Sequence, residues 1–449
     1  MKPLLNYVAI LVAASAFSAA PALSTSGNGH WPQWRGPLGT GESPDGRPPI
    51  VWSEEENVAW KLPLPGLGQS TPVIWGDTIY LTTAVPVGTA LAYEDDHDPG
   101  AHDNMPPDHR QDFVVLAVNR GTGKISWQRT LRSEQPHEGT HTTASWASQS
   151  PVTDGERLIV SFGSRGIFGL DTKGKVLWEK DLGDMRVRHG HGEGSSPALY
   201  GNHVVVNWDH EGDSFVVALD QRNGKELWRA ARDEMTSWSS PLIVEHEGKV
   251  QVILAATGRV RSYDLENGKV LWECGGLSRN VVATPLASDG LVYVANSYDW
   301  QAMMAIRLDA RGDITAQLKS GNGNVVVWQK GRDTPYVPSP VLAGNELCFM
   351  KHLQGIMTCV DAKTGESELG ARRLPGIRNV FASPVAAAGR LYVSSREGAT
   401  VVLRQSDDQA LAINTLDDSF SASPAIAGDT LYLRGNRSLY ALREAGDHD

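Results

Sequence analysis

The apolar residues of this chain fall in short runs that read as buried strands. HVVVNW at 203–208, Thr78–Leu81 and Leu431–Leu433 are β-branched, leucine-rich or aromatic, and turn pairs such as Gly76-Asp77, Gly344-Asn345 and Gly428-Asp429 punctuate the pattern. The runs are periodic. A Ser-Pro or Thr-Pro step, followed by a turn and an apolar strand, recurs with its proline at 72, 151, 197, 241, 285, 340, 384 and 424. Successive prolines are 79, 46, 44, 44, 55, 44 and 40 residues apart, and a period in the mid-forties is that of a four-stranded propeller blade.

Each repeat carries a second phrase, seen in LAVNRGTGKISW (116–127), ALDQRNGKELW (218–228) and SYDLENGKVLW (262–272). Its Asn or Asp and its Gly shape a tight turn between the third and fourth strands. The Trp then lies on the outer strand, where a large flat side chain packs against the next blade. Trp127, Trp178, Trp228, Trp272 and Trp328 hold this place; the repeat at Pro340 has CVDAKTGE without the Trp, and the repeat at Pro384 departs further. The last repeat stops after three strands at SLYALRE, whereas NVAWKLPL (57–64) carries Trp60 with no blade before it. Pairing that first strand with the last blade closes the ring and removes both free edges. The expected fold is all-β, an eight-bladed β-propeller over 57–443, with an extension at 23–56 packed on it and a short tail at 444–449.

The phrase A-x-D-x-x-x-G-K-x-x-W resembles the tryptophan-docking repeat of the PQQ-like propellers, over roughly residues 57–443. The resemblance implies the propeller fold, but the family holds both quinoprotein alcohol dehydrogenases and BamB-type outer-membrane assembly lipoproteins, so it implies no single function. The large PQQ dehydrogenases hold their quinone against a disulfide between adjacent cysteines, and no Cys-Cys pair occurs here. The lipidated cysteine of BamB-type proteins is also missing. WPQWRGP at 31–37 is similar to the opening of exported PQQ-like repeat proteins.

Composition narrows the setting. Of 449 residues, 41% are hydrophobic, ample for a core, and the net charge of −11 with no basic run argues against nucleic acid or an anionic membrane as partner. The first residues read as a cleaved signal peptide over 1–22: Lys2, an apolar stretch Leu4–Phe17, and Ala20-Pro21-Ala22 as the cleavage motif. The stretch is too short for a span, so a periplasmic or secreted monomer is expected. Cys348 and Cys359 fall opposite one another if 351–356 close a hairpin, which an oxidising compartment would permit to become a disulfide; two small buried residues is the alternative.

Candidate chemistry collects on one rim. In a propeller the loop between strands two and three and the loop into the next blade emerge on the same face, where function usually sits. Nine of thirteen histidines lie between His97 and His210. All nine but His203 occupy four such loops: the blade-one insert (85–112), HEGTHTTASWASQ (137–149), RHGHGEGS (188–195) and WDHEGDS (208–214). His189 and His191, two apart, would face one way and suit a divalent metal together with His210; Asp209, Glu193, His137 or His141 would complete the set. The alternatives are a polar ligand-binding or catalytic role without metal, and a glycine-rich loop whose histidines cap backbone groups or face solvent. The acids of the insert, Glu94, Asp95, Asp96, Asp98 and Asp103, lack the spacing of a calcium loop and read as a solvated lid. Gln69, Trp146, Glu193, Trp238, Asn280, Tyr336, Asn379 and Phe420, just ahead of the Pro steps, are expected to ring the channel. The near-copies SRNVVATP and IRNVFASP place Arg279 and Arg378 to hold an anionic group or, alternatively, to hydrogen-bond carbonyls of neighbouring blades.

No G-x-S-x-G elbow, phosphate loop or HExxH motif is present. The leading reading is a module binding a small polar or anionic ligand, or a periplasmic protein, through this rim. Two alternatives stand beside it. One is an oxidoreductase using PQQ or a metal, with His191 or His210 as base or ligand and Trp238 or Phe420 under a quinone; the other is a BamB-like assembly scaffold.

Overall fold

The recurring Ser/Thr-Pro step builds the axis of the molecule. From blade two to blade eight, the hydroxyl of each step accepts a hydrogen bond from the backbone N–H of the same step one blade earlier, while Thr71 Oγ1 of blade one is buried without a hydrogen-bond partner among the described residues. Thr71 N–H donates to Ser150 Oγ, Ser150 to Ser196, Ser196 to Ser240 and Ser240 to Thr284, all at 2.9–3.0 Å. Thr284 donates to Ser339, Ser339 to Ser383 and Ser383 to Ser423 at the same spacing. The proline that follows has no N–H to satisfy, so the strand leaves the axis without an orphaned donor.

In this computed structural model, which describes residues 29–93, 101–320 and 324–445, eight sheets of four antiparallel strands radiate from that ring. Blade three is representative: Ala198–Tyr200, His203–Trp208, Phe215–Asp220 and Glu226–Ala231 run from axis to rim. Blade eight takes its outer strand, Val58–Pro63, from the other end of the chain, with Trp60 opposite Ala441. The blade at Pro384, which has lost the sequence phrase, still forms four regular strands. The expected signal segment and the insert residues His97, Glu94, Asp95, Asp96 and Asp98 lie outside the described residues.

The docking tryptophans form a second, outer ring. The rings of Trp60, Trp127, Trp178, Trp228 and Trp328 sit over Gly123, Gly174, Gly224, Gly268 and Gly365 of the following blade. Their indole N–H groups donate to backbone carbonyls in the same turns, those of Arg120, Thr172, Gln221, Leu265 and Ala362, at 2.6–3.2 Å. This explains the glycine of the phrase: its φ is positive, and a Cβ there would meet the indole at 2.5–2.9 Å. Blade five replaces its turn by an excursion whose Gly312–Asp313 segment adds in parallel to the outer strand of blade four, and whose helix is Thr315–Ser320. Trp272 accordingly finds Gln251 Oε1 instead, at 3.4 Å.

The extension crosses the opposite face. Trp31 pairs with Ile74, Glu42–Ser43 adds in parallel to Val385–Ala387, and Arg35 donates to the carbonyls of Pro340 and Pro384. Trp34 reaches Ser423 of the axial ring, and the buried Trp52 packs 6.5 Å from Tyr392 in a blade without a docking Trp. Cys348 and Cys359 are directly opposed and disulfide-bonded. Among the described residues no helix is long and apolar enough to cross a membrane.

Two glycine substitutions separate backbone strain from docking. Gly201 and Gly224 both have positive φ, but a Cβ at Gly201 meets nothing within 4 Å, whereas at Gly224 it meets Trp178 at 2.6 Å. Gly201→Ala is expected to cost about 1 kcal/mol, and Gly224→Ala a further ~1–3 kcal/mol of overpacking, read as a larger fall in thermal midpoint.

Candidate functional site

Three loops of three blades are stitched together by their backbones. Asn104–Met105 of the blade-one insert pairs with Thr140–His141, placing Asn104 opposite His141. His141 N–H donates to the His191 carbonyl at 3.1 Å, and Thr142 N–H to the Asp103 carbonyl at 2.7 Å. Asn104 Nδ2 donates to the His189 carbonyl at 2.6 Å, across a left-handed His189 with φ of 58°. The outcome is a cluster of imidazoles. Ligand atoms of His102, His141 and His191 lie within 4.8 Å of one another. The His189 ring centroid is 5.4 Å from that of His191 and 6.2 Å from that of His102.

The neutral form is favoured at His191 and His141. Burial, then the neighbouring His141, His102 and His189, lowers His191 to about 4. His141 is also lowered, by burial first, with Asp103 opposing and His102 and Arg396 reinforcing. His191 Nε2 is buried with no hydrogen-bond partner among the described residues. His141 Nδ1 is 2.7 Å from Thr143 Oγ1, and His102 Nδ1 is 3.2 Å from Asp103 Oδ2.

These rings form one wall of a chamber of about 540 Å³ at the mouth of the channel. The residue three before each proline lines it in every blade: Gln69, Ser148, Gly194, Trp238, Val282, Val337, Phe381 and Ser421. Glu193, Asn280 and Tyr336, two of them at neighbouring offsets, line it too. Trp238 is held by its N–H to the Gly192 carbonyl at 2.7 Å. Tyr336 lies 5.7 Å from Tyr298 and 4.8 Å from His352, and burial pushes its hydroxyl up to about 12. Trp34 and the ring hydroxyls of Ser150, Ser196, Ser383 and Ser423 form the floor.

The family model described as outer membrane protein assembly factor BamB matches residues 45–186, 111–275 and 212–448. The chain belongs to this family of PQQ-like propellers. A tetrathionate hydrolase from Acidithiobacillus ferrooxidans is 22% identical over 355 residues, 72% of this chain and 62% of that protein, so the chain spans under two thirds of its curated relative. Among solved structures, a europium-containing methanol dehydrogenase superposes with a TM-score of 0.65 at 11% identity, covering 92% of this chain and 91% of its own. BamB from Moraxella catarrhalis gives 0.52 at 14% identity, covering 81% and 99%. These similarities establish the fold shared with the PQQ-like propellers.

Other rim residues singled out in the sequence are placed elsewhere in this PQQ-like propeller. His210, expected beside His189 and His191, is buried in its own loop, its Nδ1 accepting from Arg186 N–H at 3.0 Å. Asp209 is consumed by a fully buried ion pair with Arg232, whose two bonds measure 2.7 and 3.1 Å, and it accepts from Ser237 Oγ at 2.6 Å. His137 is pinned between the Met185 carbonyl and Arg165. The Glu193 carboxyl, raised by burial against the pull of His137, Ser164 and Arg165, accepts from Ser164 N–H and Oγ. Trp146 donates to the Glu138 carbonyl in a side crevice, Asn379 to Glu397, and Phe420 is buried edge-on to Tyr440 rather than ringing the channel. Arg279 is paired with Asp299 at 2.6 Å, and Arg378 is exposed on the rim.

Two residues escaped sequence reasoning. His102 sits inside an insert whose acids suggested a mere lid. Arg396 stands over Phe381, 5.3 Å from its centroid, in a loop of ordinary composition. Its proximity to a chamber-lining aromatic has no sequence signature. Asp209→Ala should therefore destabilise by about 3–5 kcal/mol, by stranding Arg232, whereas His191→Ala should cost within about 1 kcal/mol; denaturant midpoints of the two variants test the assignment.

Proposed function

We propose that this PQQ-like propeller binds a small anion in the chamber, between the histidine wall of blades one to three and the Arg396–Phe381 corner of blade seven. The observation that carries the reading is Arg396: its guanidinium makes no ion pair or hydrogen bond among the described residues, its Nε is buried, and its charge reaches His141. An unpaired, partly desolvated guanidinium is costly unless an anion completes it. Two further cations support the floor. Arg35 and Arg434, each lowered to about 9 by burial and so still charged at neutral pH, bond only carbonyl and hydroxyl oxygens near the axial ring. The aromatic faces of Trp238, Tyr336 and Phe381 supply shape.

The name of the tetrathionate hydrolase relative points the same way, since tetrathionate is a small dianion. Pyrroloquinoline quinone suits these residues less well. It carries three carboxylates, whereas the described lining itself holds no Arg or Lys and Arg396 stands beside it only through Phe381, and Phe420 is too buried to stack on a ring system. The disulfide and the apolar leader accord with an exported protein. Calorimetric titration with tetrathionate, sulfate and pyrroloquinoline quinone tests the reading: a small anion should bind, and Arg396→Ala should weaken it about 10- to 100-fold, the range of a charge-assisted hydrogen bond. Equal affinity in the Arg396→Ala protein, or binding of the quinone alone, overturns it.

A further inference from the structure

We infer that His102, His141 and His191 form a divalent transition-metal site on the chamber wall, with His189 as the adjacent fourth ring and the open coordination positions facing the chamber. This goes beyond the anion reading and does not depend on it, because the ion needs only the imidazoles.

Four observations carry it. First, the ligand atoms lie within 4.8 Å of one another, and a tetrahedral ion with bonds of about 2.0–2.1 Å would draw them to roughly 3.4 Å apart, a closure that ring rotation provides. Second, each ring comes from a different blade loop, and the loops are joined by the backbone bonds His141 N–H to His191 carbonyl and Thr142 N–H to Asp103 carbonyl. The three ligands therefore come from three loops cross-linked by main-chain hydrogen bonds rather than from one segment. Third, the other nitrogens have partners of the kind that orient metal-bound histidine. His102 Nδ1 is 3.2 Å from the Asp103 carboxylate, and His141 Nδ1–H donating to Thr143 Oγ1 at 2.7 Å leaves Nε2 with a lone pair. The competing approach of Thr143 N–H to the same Nδ1 is longer, at 3.2 Å. Fourth, His191 Nε2 is buried and without a hydrogen-bond partner among the described residues, which an ion would supply.

The chemistry of the donors selects the metal. An all-imidazole set suits zinc, copper, nickel or cobalt, whereas calcium and magnesium require oxygen ligands. The second candidate group, Glu346 with Cys348 and Cys359, is set aside because its sulfurs are joined to each other.

The test uses the mature chain with any polyhistidine tag removed and metal stripped by chelator, titrated with cobalt(II) and, separately, copper(II). One cobalt per chain with a visible ligand-field band, and copper(II) resonance showing nitrogen hyperfine coupling, is the expected result. His102→Ala and His191→Ala should each weaken binding at least 10- to 100-fold, while His203→Ala, on a strand away from the cluster and near Glu266, should leave it unchanged. On unaltered protein, zinc should protect His102, His141 and His191 from diethyl pyrocarbonate, mapped by mass spectrometry; this readout holds even if a variant misfolds. Cobalt below one fifth of an equivalent, no zinc protection, or equal affinity in folded His191→Ala overturns the site. Protein that takes cobalt but no anion retains this inference and loses the preceding one.

Discussion

The ring of Ser and Thr hydroxyls around the axis is the constraint on which the rest of the molecule depends. Seven of the eight hydroxyls tie one blade to its neighbour at 2.9–3.0 Å and so set the inner edges of the sheets at a fixed pitch, while Thr71 Oγ1 has no partner among the described residues at the seam of blades eight and one. A buried N–H denied its partner costs about 1–3 kcal/mol, and a lapse at one step disturbs the two blades it joins. Length variation is therefore pushed outward. The extra residues behind the 79- and 55-residue spacings lie in the blade-one rim loop and the blade-five excursion, never at the axis.

Tryptophan docking repeats the same logic at the circumference. There the outer strand of one blade needs a glycine in the turn of the next, and the pairing of Trp with a distant Gly is what makes the phrase recur. Where the phrase fails, other parts take over: Trp52 from the extension packs beside blade seven, its backbone N–H donating to Asn414 Oδ1 of the outer strand, and a disulfide joins the middle strands of blade six. The rim is free of both rings and can carry chemistry at little cost to the scaffold.

The fold was readable because it is written eight times, and repetition averages out the ambiguity of any single strand. The site was readable only in part. His141, His189 and His191 stood out by density, but nothing in WDHEGD distinguishes it from RHGHGEG. The difference is Arg232, which neutralises Asp209 from the far end of blade three and turns that loop into core. Likewise Arg279 and Arg378 sit in near-identical phrases, yet Asp299 occupies the first while the second stays exposed, and Arg396, from another loop, is the guanidinium that stands over a chamber-lining aromatic. Such outcomes turn on residues brought together by the ring, and one-dimensional spacing does not contain them. The channel residues show a milder version: the lining position is constant at three before the proline, while the more conspicuous Trp146, Asn379 and Phe420 at other offsets turn away.

The strand Val58–Pro63, paired with Ser438–Leu442, has a consequence for the order of events in the life of the chain. The first strand precedes the blades it closes in the chain, and its partner follows all of them. Until the two pair, Trp60 has only the turn of blade one to lie on, and blade eight lacks its outer edge. Closure couples residues almost four hundred positions apart, a contact of the slowest-forming kind. A chain lacking Ser438–Leu442 would thus be an open arc with exposed sheet edges, the form most apt to pair with another copy of itself.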